Sequence, residues 1–222
     1  MVRFERYDVL TLEQCEVWAR RIGVLGALAE SLMVLRGVSH AWRRPKGRIV
    51  GRAYERLSLP MYLGMVMETL VGLGALILLW RPIPLRLSRP QRAVALVLGS
   101  VLYAAGFGFV IWGRIALGKM YNVSTEVGAE LFAHHRLVTS GPFALVRHPM
   151  YLGAAVQFLG GVLLYRTWSV VLLLAEEVAT NLGRARREEQ ALAAEFGPEW
   201  QAYARLVPTG LPFVAAHTKP AS

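Results

Sequence analysis

The sequence predicts an all-α integral membrane protein of about five transmembrane helices, including a C-terminal helical hairpin, with a cytosolic cofactor-binding region. Three observations lead there. The 222 residues are 55% hydrophobic with a mean hydropathy of +0.39, more apolar than an ordinary soluble domain. The apolar residues gather into runs long enough to span a bilayer. The formal net charge of +10 and pI near 10.3 come from basic residues clustered between those runs. That placement marks membrane topology, so membrane lipid and no nucleic acid is the expected partner.

Taken in order, residues 1–21 lack the n-region, apolar core and cleavage pattern of a signal peptide, so the first membrane segment is expected to be retained. Residues 22–38 form an apolar segment of about 17 residues around Glu30, at the short end for a span. Crossing with Glu30 facing protein is the reading adopted, and an interfacial position is the alternative. The loop over 40–56 carries Arg43, Arg44, Lys46, Arg48, Arg52 and Arg56 against Glu55 and is placed in the cytoplasm. Residues 61–80 and 93–113 are clear spans, the first with Glu68 as its sole charge. The link between them holds Arg81, Arg86, Arg89 and Arg92. Its smaller basic count returns the chain to the cytoplasm after Gly113.

From 151 to 183 the chain is apolar apart from Arg166, Glu176, Glu177 and a few neutral polar residues. One helix would overshoot the roughly 30 Å hydrocarbon layer, so a tight hairpin turning at Arg166-Thr167 is expected. The hairpin brings residues after Arg184 back beside 134–148. Its second arm runs on as an amphipathic helix to Phe196, where Gly197-Pro198 stops it, and a short helix over 199–206 follows. This divides the chain into a transmembrane region (1–113, spans near 22–39, 61–80 and 93–113), a core (114–213, cofactor loop 134–153, hairpin 151–183, amphipathic helix 184–206) and a disordered tail (214–222).

Chemistry concentrates in the polar stretch 134–153, which sets histidines, arginines and Tyr151 between two apolar runs. In Arg147-His148-Pro149 the proline disfavours helix at His148 and can open the helix that follows, where anions collect. Other motifs carry less. Gly72-Leu-Gly74 and Gly106-Phe-Gly108 lack the third glycine and the strand of a nucleotide fingerprint and read as helix-packing surfaces. His134-His135 has no supporting ligand cluster, and Cys15 is the sole cysteine, so no metal site is expected. Glu30, Glu68, Glu176 and Glu177 are costly in lipid and are expected to pair with arginines, with a role in substrate passage as the alternative.

Four segments in one order resemble the isoprenylcysteine carboxyl methyltransferase family, membrane enzymes that use S-adenosylmethionine. They are His135-Arg-Leu-Val-Thr-Ser-Gly141; Arg147-His-Pro-Met-Tyr-Leu-Gly153; Arg184 with Glu188-Glu189; and Phe196-Gly-Pro-Glu-Trp200 with Tyr203, continuing through Val207-Pro-Thr-Gly-Leu-Pro-Phe213. The first hundred residues carry no match. The resemblance implies a cytosolic S-adenosylmethionine site built by His135, Leu137, Val138, Gly141, Phe143, His148, Tyr151 and Glu189, with Phe143 and Trp200 standing where the family has tyrosine. It further implies a lipophilic, lipid-modified acceptor such as the carboxylate of an isoprenylcysteine.

The residue types suit that chemistry. Leu137 and Val138 can line an adenine pocket, a carboxylate can take amino or ribose groups, and a basic residue at a helix start can take the methionyl carboxylate. Arg147 is the candidate for orienting a carboxylate acceptor through a bidentate pair, with Glu188 fixing the arginine; these two are the expected catalytic residues. For an amine or thiol acceptor, Glu188 or His148 becomes the candidate base. A small thiol and a phospholipid amine remain open as acceptors, as does a non-catalytic assembly role. Lateral entry of the acceptor is expected between the span ending near Gly113 and the hairpin, past Gly160 and Gly161.

Overall fold

A computed structural model describes residues 10–41, 46–51, 74, 76–121, 128–132 and 135–210. Five helices dominate: α1 (Leu12–Ala41), α2 (Arg89–Leu117), α3 (Pro149–Tyr165), α4 (Trp168–Phe196) and α5 (Pro198–Leu206). Two short strands, β1 (Lys46–Gly51) and β2 (Gly128–Phe132), pair antiparallel. The helical architecture is the expected one; the strand pair, built from loop sequence without alternation, is an addition to it.

Local chemistry sets the helix ends. Before α1, the Gln14 side chain accepts from Thr11 N–H at 2.8 Å and Thr11 Oγ1 from Gln14 N–H at 3.3 Å, a reciprocal capping box. Before α2, Gln91 accepts from Ser88 N–H at 2.9 Å and Pro90 sits in the first turn. Pro149 opens α3 in the same way, and Gly197, at φ 49°, separates α4 from α5. The turn between α3 and α4 falls at Arg166-Thr167. Arg166 there adopts φ 54°, a left-handed conformation normally reserved for glycine.

Glycines organise the packing of α2 on α3. Gly99, Gly106 and Gly113 recur every seventh residue on α2, and Gly153 and Gly160 do so on α3. A Cβ on Gly106 would strike Gln157 N and come within 2.5 Å of Gly153 O. One on Gly160 would strike Tyr103 N and meet Gly99 O at 2.7 Å. The two helices therefore touch backbone to backbone, the close approach that small residues permit in lipid. This corrects two expectations. No lateral gap opens between α2 and Gly160, because that interface is the tightest seam described here. Of the described glycines in the pairs read as packing surfaces, Gly106 packs, whereas Gly74 and Gly108 would place a Cβ in open space; Gly72 lies outside the described residues.

Among the described residues, one helix is long and apolar enough to cross a membrane: Arg89–Met120, 32 residues when the 3₁₀ turn after α2 is included. Helix α3 is a shorter apolar helix of 17 residues. Residues 22–38 lie within α1, whereas most of 61–80, and the tail after Gly210, fall outside the described residues. The carboxylates expected to pair with arginines find amides instead. Gln157 Nε2 donates to Glu30 at 2.8 Å and Asn181 Nδ2 to Glu177 at 2.5 Å, while Glu176 is exposed and Glu68 lies outside the described residues.

Candidate active site

The polar stretch folds as foreseen in outline. Residues 135–139 form no regular element, a 3₁₀ turn over Gly141–Ala144 follows, and His148 caps α3 at φ −122° and ψ 62°, outside both the helical and the extended regions. Gly141, at φ 64°, passes the Trp112 indole, whose Nε1 would lie 3.5 Å from an added Cβ. Pro142 and Phe143 are buried, and Tyr203 of α5 donates its hydroxyl to Phe143 O at 2.7 Å. Burial pushes the Tyr203 phenol up to about 12, so it stays a donor. Tyr203 thus ties the loop to α5 through the Phe143 carbonyl.

Five of the expected residues come together where α3 begins beside the middle of α4. Arg147 Nε donates to Glu189 Oε1 at 2.9 Å, and His148 Nε2 lies 3.1 Å from the same oxygen. Tyr151 donates to Glu188 Oε1 at 2.5 Å, His148 Nδ1 stands 3.6 Å from Glu188 Oε2, and the His148 and Tyr151 rings stack at 5.6 Å. Burial works against charge on His148, yet its contacts with Glu188 and Glu189 hold its pKa above the usual value of 6.5. Glu189 is pushed up by burial but held below its usual 4.5 by His148 and Arg147. Both shifts favour the ionised pair.

The two glutamates exchange the contacts expected of them. Glu189 fixes Arg147, and its side chain is 10% exposed; Glu188 bonds Tyr151, and its side chain is 27% exposed. Arg147 also differs from expectation. Its side chain is 2% exposed, and Nη1 donates to Ala204 O at 2.8 Å and Val207 O at 2.9 Å. Its backbone N–H reaches Pro208 O at 2.8 Å, and His148 N–H reaches Thr209 O at 3.3 Å. Three of its five donors therefore clamp protein, so Arg147 ties the segment after α5 to the loop. The reason is proximity: α5 returns the chain directly over the arginine.

The remaining expected residues sit around this group. His135 is half-buried with its ring 6.2 Å from Phe196, and burial lowers its pKa. Leu137 and Val138 are half-buried on the irregular stretch before the 3₁₀ turn. Two residues were missed: Arg114, which ends the apolar run of α2, and Tyr121, stacked beneath its guanidinium at 4.1 Å. Tyr121 lies within electrostatic reach of Glu188 and Arg184, which joins α2 to the acidic pair. The buried Nε atoms of Arg114 and Arg184 have no hydrogen-bond partner among the described residues. An arginine directly after a span-length run was the signal available for this group. Each of these donors could take an oxygen of a carboxylate, Glu188 offers an acceptor, and Leu137 and Val138 offer apolar surface. The donor set fits S-adenosylmethionine.

Residues 94–199, from α2 into α5, match the family model described as phospholipid methyltransferase. The chain is 31% identical over 126 residues to a protein-S-isoprenylcysteine O-methyltransferase of Schizosaccharomyces pombe, covering 52% of this chain and 51% of that protein. It is 36% identical over 120 residues to the Rattus norvegicus protein of the same name, covering 51% and 42%. It is 35% identical over 101 residues to protein-S-isoprenylcysteine O-methyltransferase B of Arabidopsis thaliana, covering 45% and 50%. The chain spans about half the length of these relatives.

Proposed function

We propose that this chain is a multi-pass membrane methyltransferase that transfers a methyl group from S-adenosylmethionine to a lipophilic acceptor, first of all the carboxylate of an isoprenylcysteine-like substrate. Its transfer core is 114–213, with the site on the cytoplasmic side. The observation that carries the reading is a partly exposed Glu188, fixed by Tyr151, in electrostatic reach of the same Tyr121 as Arg114 and Arg184, whose buried Nε donors have no hydrogen-bond partner among the described residues.

In this reading Arg114 and Arg184 hold the methionyl carboxylate, Glu188 with Tyr151 holds amino or ribose groups, and His135, Leu137 and Val138 line the adenine side. Gly141 and Phe143 shape the loop. Arg147, His148 and Glu189 are positioning residues that fix the floor of the site. S-adenosylmethionine, when bound, supplies a methyl group on a positively charged sulfur. An ionised carboxylate acceptor has no proton to lose, so the protein's work is alignment and exclusion of water. The family description favours a second acceptor, a phospholipid amine, for which Glu188 is the candidate base.

Titration calorimetry of the detergent-purified chain should show saturable, metal-independent binding of S-adenosylmethionine or its demethylated product. Tyr151→Ala should weaken binding and Glu176→Gln should not. No binding of either molecule would overturn the enzyme reading. Turnover on a farnesylated cysteine analogue, against a phospholipid amine and a simple thiol, decides the acceptor.

A further inference from the structure

At the end of the bundle remote from the His148 cap, three arginines converge on one carboxylate. Glu16 of α1 is buried, and its Oε1 accepts from Arg92 Nε at 3.2 Å and from Arg166 Nη2 at 3.0 Å. Its Oε2 accepts from Arg92 Nη2 at 2.7 Å and lies 4.0 Å from Arg20 Nη2. Arg20 is oriented by a bond from Nε to Leu164 O at 2.8 Å. Among the described residues, Glu13 is the other acid in an ion pair with the three, 3.7 Å from Arg92 Nη1, and its side chain is 77% exposed. Three guanidinium groups therefore face one saturated carboxylate and one solvated one, which leaves a net positive cluster.

The cluster has a surplus of donors as well as of charge. Its arginine side chains are 36%, 32% and 18% exposed for Arg20, Arg92 and Arg166, so their outer edges reach the surface. Arg20 Nη1 and Arg166 Nη1 have no hydrogen-bond partner among the described residues. Arg166 is held in its left-handed conformation with its carbonyl accepting from Ile83 N–H at 2.8 Å, so its side chain is aimed by a fixed turn.

The surroundings identify the ligand. Trp18, Trp80 and Trp168 are exposed at this end, the arrangement of an interfacial aromatic belt. Below them α1 and α2 present exposed Leu25 and Val94 to the side. The 17 residues of α3 separate this end from the His148 cap by roughly 25 Å, so the cluster is no part of the transfer site. Planar guanidinium forks match phosphate oxygens, and an arginine at the bilayer edge keeps its stem in apolar surface while its head reaches the headgroup layer. We propose that the Arg20–Arg92–Arg166 cluster binds the phosphate of an anionic phospholipid, whose acyl chains lie along the exposed faces of α1 and α2. The proposal rests on the membrane reading and is independent of the transfer reaction.

The test uses the full chain in nanodiscs of phosphatidylcholine, with and without phosphatidylglycerol; incorporation itself checks the membrane reading. Phosphatidylglycerol should raise Tm by at least about 3 °C, and native mass spectrometry should retain the lipid. Arg20→Gln should remove half or more of the rise, whereas Arg205→Gln, an equal charge change on α5, should leave it intact. Should Arg20→Gln fold poorly, Arg20→Lys keeps the charge, loses the fork and should still reduce the rise. Glu16→Gln should lower Tm in phosphatidylcholine and gain more than wild type from phosphatidylglycerol, because lipid phosphate then replaces the missing anion. Equal rises in wild type and the Arg20 variants would overturn the site. An equal rise from inorganic phosphate in phosphatidylcholine discs would overturn a lipid as its occupant.

Discussion

Helix α3 is buried in two opposite ways along its length. Against α2 it presents Gly153 and Gly160, and backbone meets backbone with no side chain between. At its N-terminus it carries Arg147, His148 and Tyr151, and charge meets charge through Glu188 and Glu189. The glycine seam fixes the distance between helices, and nothing in it can rotate aside. The polar end fixes direction, through bonds that each depend on one side chain. Stability should therefore be most sensitive where there is least chemistry, and binding should be most sensitive where there is most.

The sharpest way to break that contrast is to fill the seam. Gly160→Leu or Gly106→Val places atoms where Tyr103 N and Gln157 N already stand, and neither backbone can yield without parting the helices. Overpacking usually costs about 1–3 kcal/mol, and a rigid backbone neighbour puts these variants at or above that range. Both should unfold at temperatures where wild type is folded, or fail to accumulate. Gly108→Ala, which meets nothing within 4 Å, should melt as wild type does. Equal Tm for Gly106→Val and Gly108→Ala would show that the seam does not set stability.

Within the polar end the two adjacent glutamates divide the labour, which gives the next largest effects. Glu189→Gln removes the anion that Arg147 and His148 share, leaving buried charge unpaired. Such a loss costs about 3–5 kcal/mol, so Tm should fall, and the segment after Leu206 should become protease-sensitive because Arg147 holds it. Glu188→Gln alters the partner of Tyr151 and the outer edge of His148 and leaves the Arg147 bond in place. It should leave Tm near wild type while weakening binding of S-adenosylmethionine by about tenfold or more, as expected for a lost charge-assisted bond. Calorimetry and thermal melts on both variants separate the two roles. A Glu188→Gln variant that melts early yet binds normally would reverse them.

These differences also explain what could be read from the chain. The hairpin turn at Arg166-Thr167, the break at Gly197-Pro198 and the polar loop were legible because composition, Pro and Gly act locally. The grouping of Tyr151 with the acidic pair was legible because a hairpin returns the chain to the side it left. Which glutamate faces Arg147 was not legible, since adjacent helical positions differ by about 100° and only packing chooses between them. The strand pair escaped notice because β1 and β2 are far apart in sequence and neither alternates. Arg114 and Tyr121 escaped because a charge ending an apolar run is ordinarily a span boundary. The seven-residue glycine spacing was present in the sequence, but period alone does not reveal that two backbones touch.

The smallest expected effect is a pH dependence that sharpens the account of the polar end. The folded-state pKa of His148 is raised above 6.5, so its favourable contribution is complete below pH 6.5 and is lost as pH rises through the folded value. The folded-state pKa of Glu189 is lowered below 4.5, so its contribution is present above pH 4.5 and is lost as pH falls through its folded value. Between those limits the pair contributes fully. His135 runs the other way: burial lowers its pKa, so protonation below pH 6.5 opposes folding and partly masks the pair in wild type. The informative quantity is the Tm difference between wild type and His148→Gln, in which the His135 contribution cancels. That difference should be greatest between pH 4.5 and 6.5 and shrink as pH rises further. A difference that stays constant to pH 9 would mean that His148 is neutral when folded, with its ring held by Tyr151 stacking and a neutral hydrogen bond.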